Sequence, residues 1–354
     1  MQKRIEYIDA LRGFTMILVV FAHVETFMLS IDPGETFISS LFLSFRMPLF
    51  FFISGLVAYK ESVVWNTKQY VKSVRERLRV SLLPTLFWGL LYIYTFSLGD
   101  ICTFFNHYYK FGYWFTLCLL GLLLILYTYN YFVHKITRIQ NKKVTVYSLL
   151  LITLIAYLFR YVYKVTPNIS HFSDILCLHQ ICVYMPFFVF GYIMSQYKVE
   201  FHRILDNKII QSCILGLFCI FFLFQKYVPN DFYEINKMLL IYRSVQYIIV
   251  GILGICVVYN FFRLNSQLFS RDKKIGELLQ RIGKRTLDIY MLHYFFLTEI
   301  PFLEQYVNRS SNIVIEISVV FLISIIIVSF TLILGKLIRT NSILGYILLG
   351  SKNK

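Results

Sequence analysis

The chain contains ten apolar stretches, each about as long as a membrane-spanning helix, and this feature limits its fold most strongly. Their approximate limits are 11–30, 38–59, 80–98, 112–133, 144–163, 177–196, 208–226, 238–262, 286–306 and 312–338. About twenty apolar residues in a helix cross the hydrocarbon core of a bilayer. Soluble domains carry about a quarter charged residues, whereas this chain carries 15%. The sequence therefore predicts an all-α polytopic membrane bundle of about ten helices, organised as a single domain over residues 1–354.

The first stretch has the start of a signal peptide, because Lys3 and Arg4 precede an apolar run. However, the run contains Arg12 and His23, and no cleavage site of small residues follows it. We expect it to be retained as the first membrane span.

The basic residues between the stretches predict the orientation. If the N-terminus is cytoplasmic, the loops on that side hold about four times as many Lys and Arg residues as the loops on the other side, as the positive-inside rule requires. The largest basic groups lie at about 60–79 and 263–285. Both termini are then cytoplasmic, and the number of spans is even.

Several other classes of protein are excluded or disfavoured. The net charge of +16 is divided among short loops, so it does not indicate nucleic-acid binding. The seven cysteines form no CxxC pair, and we predict neither a metal site nor a disulfide framework.

The spacing of Lys274–Ile282 predicts an amphipathic helix on the inner membrane surface, attracted to anionic lipids.

The first span carries the candidate chemistry. Arg12 and His23 are eleven residues apart, which is about three helical turns, so they share one helix face and lie roughly 16 Å apart along the axis. Asp9 falls near the same stripe. Ionisable residues inside a membrane span are costly, and they usually mark a functional site.

Six motifs, in order, resemble those of the acyltransferase 3 family of integral membrane proteins. They are Tyr7–Gly13 followed by His23 in Arg-x10-His spacing, Phe45–Gly55, Leu83-Pro84 after a basic run, Tyr113–Phe115, Tyr184–Phe188 with Gly191-Tyr192, and Ile282–His293. The resemblance implies acylation of sugars on bacterial surface glycans, in the inner membrane, with acyl-CoA as donor.

The predicted chemistry centres on His23. Acyl transfer from a thioester to a hydroxyl needs a base and a group that stabilises the oxyanion. Histidine suits the first role, either as a general base or as a transient acyl-histidine. Arg12 either holds the donor or extends towards the membrane surface. Asp9 either orients Arg12 or caps the helix.

The donor is predicted to be acetyl-CoA or another acyl-CoA. Arg75, Arg77 and Arg79 precede the third span on the cytoplasmic side, and arginine side chains suit its phosphates. The family usually has Arg-x-x-Arg here, whereas this chain has Arg-x-Arg-x-Arg. Ordinary positive-inside charge also explains such a run.

Four further residues are candidates for substrate binding. Arg46 and Arg243 fall in outward-opening parts of their spans, where a lone charge is costly. The family more often has histidine at the position of Arg46. Trp114 suits stacking on a sugar ring, and His293 belongs to the last motif, where hydrogen-bonded packing also explains a histidine.

The sequence thus predicts an O-acyltransferase that moves an acyl group, by preference acetyl, from cytoplasmic acyl-CoA to an extracytoplasmic surface polysaccharide or glycolipid. A lipid-linked sugar is a further possible acceptor. Two alternatives stay open at this point. A transporter or flippase for glycans also places charge in mid-membrane, and a non-catalytic component of a polysaccharide synthase needs no catalytic His23.

Overall fold

The computed structural model describes residues 5–32, 34–137, 142–163, 167–227, 237–310 and 312–351. Within these ranges every regular element is a helix, and nine helices are long and apolar enough to cross a membrane. The predicted all-α, multi-pass membrane fold is therefore confirmed.

In chain order the helices are α1 (Glu6–Met28), α2 (Phe37–Ala58), α3 (Thr67–Arg77), α4 (Leu83–Phe96), α5 (Ile101–Asn106), α6 (Trp114–Thr137), α7 (Lys142–Tyr163), α8 (Pro167–Leu176), α9 (Leu178–Gln196), α10 (Lys198–Asp206), α11 (Lys208–Tyr227), α12 (Lys237–Leu264), α13 (Lys274–Gly283), α14 (Thr286–Leu292), α15 (Pro301–Ser310), α16 (Ile313–Ile338) and α17 (Ser342–Leu348). A π-helical turn, Leu78–Leu82, joins α3 to α4, and short 3-10 turns cover Lys110–Gly112 and His293–Phe296.

The stretch predicted as a span over 286–306 is divided. α14 ends at Leu292, the 3-10 turn follows, and α15 begins only at Pro301. Proline has no backbone N–H to donate and disfavours helical backbone at the residue before it, here Ile300. The chain leaves helical structure after Phe296 and begins a new helix at Pro301, although the apolar length of the stretch suggests one continuous helix.

Two compact units make up the chain. The first unit comprises Met1–Ile53 and Tyr197–Leu332, and the second comprises Ser54–Gln196 and Ile333–Lys354. The organisation of residues 1–354 as a single domain stays a prediction.

α1 forms the core of the first unit. Of the eighteen residues in its most apolar stretch, 83% are buried. In the other long helices described, at most 56% of the corresponding residues are buried. A helix surrounded in this way can carry polar groups, because they face other helices instead of lipid.

α1 and α13 approach each other backbone to backbone. A Cβ atom on Gly13 would lie 2.0 Å from the carbonyl oxygen of Leu279, and one on Gly283 would lie 1.8 Å from the carbonyl oxygen of Asp9. Only glycine fits at both positions, as is usual where helices pack closely in membranes. The amphipathic helix predicted over Lys274–Ile282 is therefore present, and it packs against the N-terminal half of α1.

In the second unit, α3, the π turn and α4 form one continuous helix of thirty residues, Thr67–Phe96. α3 packs against α6, and α7 packs against α9. The C-terminal helix α17 packs against α4, where the indole N–H of Trp88 donates to the carbonyl oxygen of Leu348 at 2.9 Å.

The loop before α6 is built around a buried cation, Lys110. Its Nζ donates to three backbone carbonyl oxygens, those of Phe105, His107 (2.9 Å) and Asp174 (2.5 Å). Burial lowers the pKa of Lys110 from its ordinary value, because the charged form loses hydration. Its carbonyl partners give this lysine a structural role in closing the loop.

Candidate active site

His23 meets His293 in the first unit. His23 lies five residues before the end of α1 and is half-buried. Its Nδ1 is 2.8 Å from Nε2 of His293, a hydrogen-bonding distance. The two rings are nearly parallel, with centroids 5.1 Å apart and an interplanar angle of 11°. The structure thus brings together two predicted site residues that the sequence assigned separately.

His293 is fixed on its other side by backbone. It is fully buried, and its Nδ1 lies 3.0 Å from the carbonyl oxygens of both Ile289 and Tyr290. These carbonyls belong to the last turn of α14, and that of Ile289 also accepts from the backbone N–H of His293. The ring of Tyr294 packs against both histidines, at centroid distances of 5.1 Å from His23 and 4.0 Å from His293.

Glu25 is a buried carboxylic residue that the sequence analysis did not name. It lies two residues beyond His23 in α1 and is fully buried. Ser39 of α2 donates its hydroxyl hydrogen to Oε1 of Glu25. Arg46, also in α2, is half-buried and close enough to act electrostatically on both His23 and Glu25. An ionisable residue inside an apolar stretch was the signal that could have identified Glu25.

Asp9 and Arg12 lie in the N-terminal half of α1, beside the contact with α13. Asp9 is buried, and Arg12 is half-buried. Arg12 and His23 share a helix face, but the helical rise separates them by roughly 16 Å along the axis. They therefore act on different parts of any substrate that contacts both.

An open groove in the second unit has cations as half of its lining residues. It has a volume of about 960 Å³, and its charged lining residues are Lys68, Lys72, Arg75, Glu76 and Arg79. The four cations follow one another at intervals of four, three and four residues, so they form one stripe along the helix that includes α3. Such a stripe suits an anionic ligand with several phosphates.

The three predicted donor arginines have different environments. Arg75 lies exposed in the groove. Arg79 also lines the groove, and its guanidinium is 4.3 Å from the ring centroid of Tyr346 and donates to the carbonyl oxygen of Ser351 at 2.9 Å. Arg77 instead donates from Nε to the hydroxyl of Tyr127 in α6 at 3.0 Å. Its role in donor binding stays a prediction.

Two predicted substrate-binding residues lie apart from the histidine pair along the chain. Arg243 is exposed in α12 of the first unit. Trp114 begins α6 of the second unit and stacks on Tyr184, with ring centroids 5.4 Å apart and an interplanar angle of 24°. The stacking accounts for Trp114 as part of the packing, and its contact with a sugar stays a prediction.

The stripe of four cations that lines the groove could have been predicted from the sequence. The predicted donor residues Arg75, Arg77 and Arg79 alternate like residues of a strand. The pattern Lys68, Lys72, Arg75 and Arg79 has helical spacing instead, and it selects the residues that line the groove. By contrast, no local pattern could pair His23 with His293, because 270 positions separate them.

Comparison with known proteins identifies the family. A family model described as an acyltransferase domain, that of the acyltransferase 3 family, matches residues 5–336. A search of curated proteins and a search of solved structures each found no match. The family match covers nearly the whole chain, including the histidine pair and the four groove cations. This chain therefore belongs to the acyltransferase 3 family and is a multi-pass membrane acyltransferase.

Proposed function

We propose that the protein transfers an acyl group, by preference acetyl, from acyl-CoA on the cytoplasmic side to a hydroxyl of an extracytoplasmic glycan. The acceptor is a surface polysaccharide, a glycolipid or a lipid-linked sugar, and the membrane is the bacterial inner membrane. The observation that carries this proposal is His23, a half-buried histidine in a span that is otherwise largely buried, hydrogen-bonded to a second histidine.

His23 provides the chemistry in this proposal. A neutral imidazole takes the proton of the acceptor hydroxyl, or it attacks the thioester carbonyl itself. Arg46 is the nearby cation that can stabilise negative charge developing on the carbonyl oxygen, because its charge already acts on His23. Arg12, with Asp9, remains the proposed electrostatic partner further along α1.

The groove provides the donor site in this proposal. Lys68, Lys72, Arg75 and Arg79 present four positive charges against the single carboxylate of Glu76, and acyl-CoA carries several phosphates. Tyr346 gives the groove an aromatic wall, on which an adenine ring can stack. The positive-inside distribution puts this segment on the cytoplasmic side, where acyl-CoA is present.

The choice of an extracytoplasmic acceptor has two supports. The family resemblance implies glycans as acceptors. In addition, His23 lies nearer to the C-terminal end of α1 than to its N-terminal end, and charge distribution predicts that the C-terminal end faces away from the cytoplasm. A transporter or a non-catalytic synthase component receives less support, because the family match favours acyl transfer.

The test measures the O-acyl content of surface glycans by NMR, before and after mild alkali. Strains that lack the protein are complemented with wild type, His23→Gln, or the control Thr26→Ala. Thr26 is exposed one turn from His23, and its hydroxyl donates only to the carbonyl oxygen of Ala22 among the hydrogen bonds described. Equal amounts of each variant in the membrane are verified.

We expect the alkali-labile acyl signal with wild type and Thr26→Ala, and its loss with His23→Gln, since a general base contributes about 10²–10⁴-fold to the rate. Unchanged acylation with His23→Gln, combined with shorter or less exported polymer, would instead support the transporter.

The donor is tested separately with purified protein in lipid nanodiscs. Radiolabelled acetyl-CoA is offered alone or in competition with CoA analogues that lack the 3′-phosphate. We expect these analogues to compete more weakly than intact CoA. Equal competition by acetyl-pantetheine, which has no nucleotide, would remove the groove from the proposal.

A further inference from the structure

The hydrogen bonds around His293 determine which of its nitrogens carries a proton. Its Nδ1 lies 3.0 Å from two backbone carbonyl oxygens, those of Ile289 and Tyr290. A carbonyl oxygen only accepts hydrogen bonds. Nδ1 of His293 must therefore be the donor and carry a hydrogen.

His293 is neutral in this environment. Its side chain is fully buried, and no carboxylate among the described residues forms an ion pair with it. A buried imidazolium without such a partner is costly. A neutral imidazole holds one proton only, and Nδ1 has it. Nε2 of His293 is therefore a bare acceptor.

The hydrogen bond between the two rings then determines which nitrogen of His23 carries the proton. Nδ1 of His23 is 2.8 Å from the bare Nε2 of His293, so Nδ1 of His23 must donate. We propose that His293 is a positioning residue that holds His23 in the Nδ1–H tautomer and so leaves Nε2 of His23 as the reactive nitrogen. The reaction assigned to that nitrogen rests on the proposed function, whereas the tautomer does not.

The chemistry of the transfer follows from this arrangement. Nε2 of His23 takes the proton from the acceptor hydroxyl while the hydroxyl oxygen bonds to the thioester carbonyl carbon. The carbon–sulfur bond then breaks, and the thiolate takes the proton back from Nε2. The products are an ester and a thiol, and His23 returns to its starting state. If an acyl-histidine forms instead, Nε2 is again the atom that bonds to the carbonyl carbon.

Between these two proton transfers His23 is an imidazolium, and the lone pair on Nε2 of His293 accepts its Nδ1–H. The same relation is known where a carboxylate orients a catalytic histidine. Here the orienting group is neutral, so His293 itself adds no permanent charge beside His23. The aromatic ring of Tyr294 keeps the two imidazoles in place by packing against both.

The tautomer can be measured directly by ¹⁵N NMR of histidine-labelled protein in lipid nanodiscs. The chain has seven histidines, and difference spectra with His23→Gln and His293→Gln assign the two signals. We expect both rings of the wild type to be neutral Nδ1–H tautomers. An Nε2–H tautomer at His23, or a charged His293, would overturn the proposal.

Two variants of His293 separate positioning from folding. Asparagine can place an amide donor near the position of Nδ1 and keep the contact with the backbone, but it offers no acceptor to His23. Glutamine can place an oxygen near Nε2 and keep that acceptor. We expect His23 to lose the Nδ1–H tautomer in His293→Asn and to retain it in His293→Gln.

The same variants are then assayed for acyl transfer. In His293→Asn we expect kcat to fall on the order of 10–100-fold, as it does when a hydrogen-bond partner that orients a metal-bound histidine is removed, while KM for acyl-CoA stays nearly unchanged. His293→Gln should recover most of this loss. If both variants lose activity equally while the tautomer of His23 is unchanged, His293 is only structural.

The proposed function can fail independently of this inference. If the wild-type tautomer is as expected but His23→Gln retains acyl transfer, the positioning by His293 holds and the catalytic role of His23 does not. If His23→Gln is inactive but His23 has the Nε2–H tautomer, the reverse is true.

Discussion

Glu25 adds a buried carboxyl group to the environment of His23. Its carboxyl group is fully buried and accepts from Ser39, while the positive charge of Arg46 acts on it. Buried charges in a membrane protein persist when they compensate each other. We therefore expect Arg46 to stabilise the buried carboxyl group of Glu25, in addition to its proposed catalytic role at His23.

A double-mutant cycle tests this coupling. Arg46→Gln removes the cation and leaves the buried carboxyl of Glu25 without it, and Glu25→Gln does the reverse. Each single variant should lower the free energy of unfolding by about 1–3 kcal/mol. The double variant should lose less than the sum, with a coupling of about 0.5–3 kcal/mol, as measured by denaturation in detergent.

Thr26→Ala provides the control for this cycle, because Thr26 is exposed and bonds to its own helix. Its effect and that of Arg46→Gln should add. Additive losses for Glu25→Gln and Arg46→Gln would mean that the two charges do not stabilise each other.

At the scale of elements, the contact between α1 and α13 depends on glycine. Gly13→Ala or Gly283→Ala puts a methyl group 2.0 Å or 1.8 Å, respectively, from a backbone oxygen on the neighbouring helix, so the helices must separate. We expect the free energy of unfolding to fall by about 1–3 kcal/mol or more, together with activity, because α1 also carries His23.

Gly216→Ala is the matched control for this experiment. Gly216 lies in α11 with no heavy atom near the position of an added Cβ. Alanine there should leave the protein equally stable or stabilise it by about 0.5–1 kcal/mol. A similar loss of stability for Gly13→Ala and Gly216→Ala would show that close packing of α1 on α13 is not the cause.

We expect the cations of the groove along α3 to strengthen donor binding. Lys72→Ala and Arg75→Ala each remove one exposed cation from the stripe. We expect Kd for acyl-CoA to rise roughly 3–10-fold for each, since exposed charge contacts contribute about 1 kcal/mol, and the differences should shrink in high salt. Equilibrium binding to protein in nanodiscs measures both effects.

Arg203→Ala is the control for the groove, because Arg203 is an exposed cation on α10, outside the stripe. Its removal changes the net charge by the same amount and should leave Kd unchanged. If it weakens binding as much as Arg75→Ala does, the basic surface attracts acyl-CoA only in a general way.

At the scale of the whole molecule, the charge distribution predicts which loops face outward. Cys102 is exposed at the start of α5, in a loop predicted to be extracytoplasmic. A maleimide that cannot cross membranes should label Cys102 in cells whose inner membrane is intact and accessible, and Cys102→Ser should abolish this labelling.

The opposite side is tested with Ser62→Cys in the Cys102→Ser background. Ser62 is exposed between α2 and α3, in the loop predicted to be cytoplasmic. It should be labelled only after the membrane is permeabilised. Labelling of Ser62→Cys before permeabilisation would reverse the orientation and with it the side on which the donor groove lies.

The sequence by itself determined the membrane fold and the polar residues that share one face of α1. Apolar length and helical period are local properties, because each residue contributes to them without reference to distant parts of the chain. For the same reason the stripe of Asp9, Arg12 and His23 could be read from their spacing along one helix. The family motifs added the class of reaction, which the family match then supported.

Only the tertiary structure decided which polar groups meet. His293 reaches His23 because α14 ends where it does and the chain breaks before Pro301. Glu25 accepts a hydrogen bond from Ser39 of α2. Arg75 and Arg79 line the groove, while Arg77 donates to Tyr127 of α6. Such contacts depend on how helices distant in sequence pack together, and no local periodicity encodes that packing.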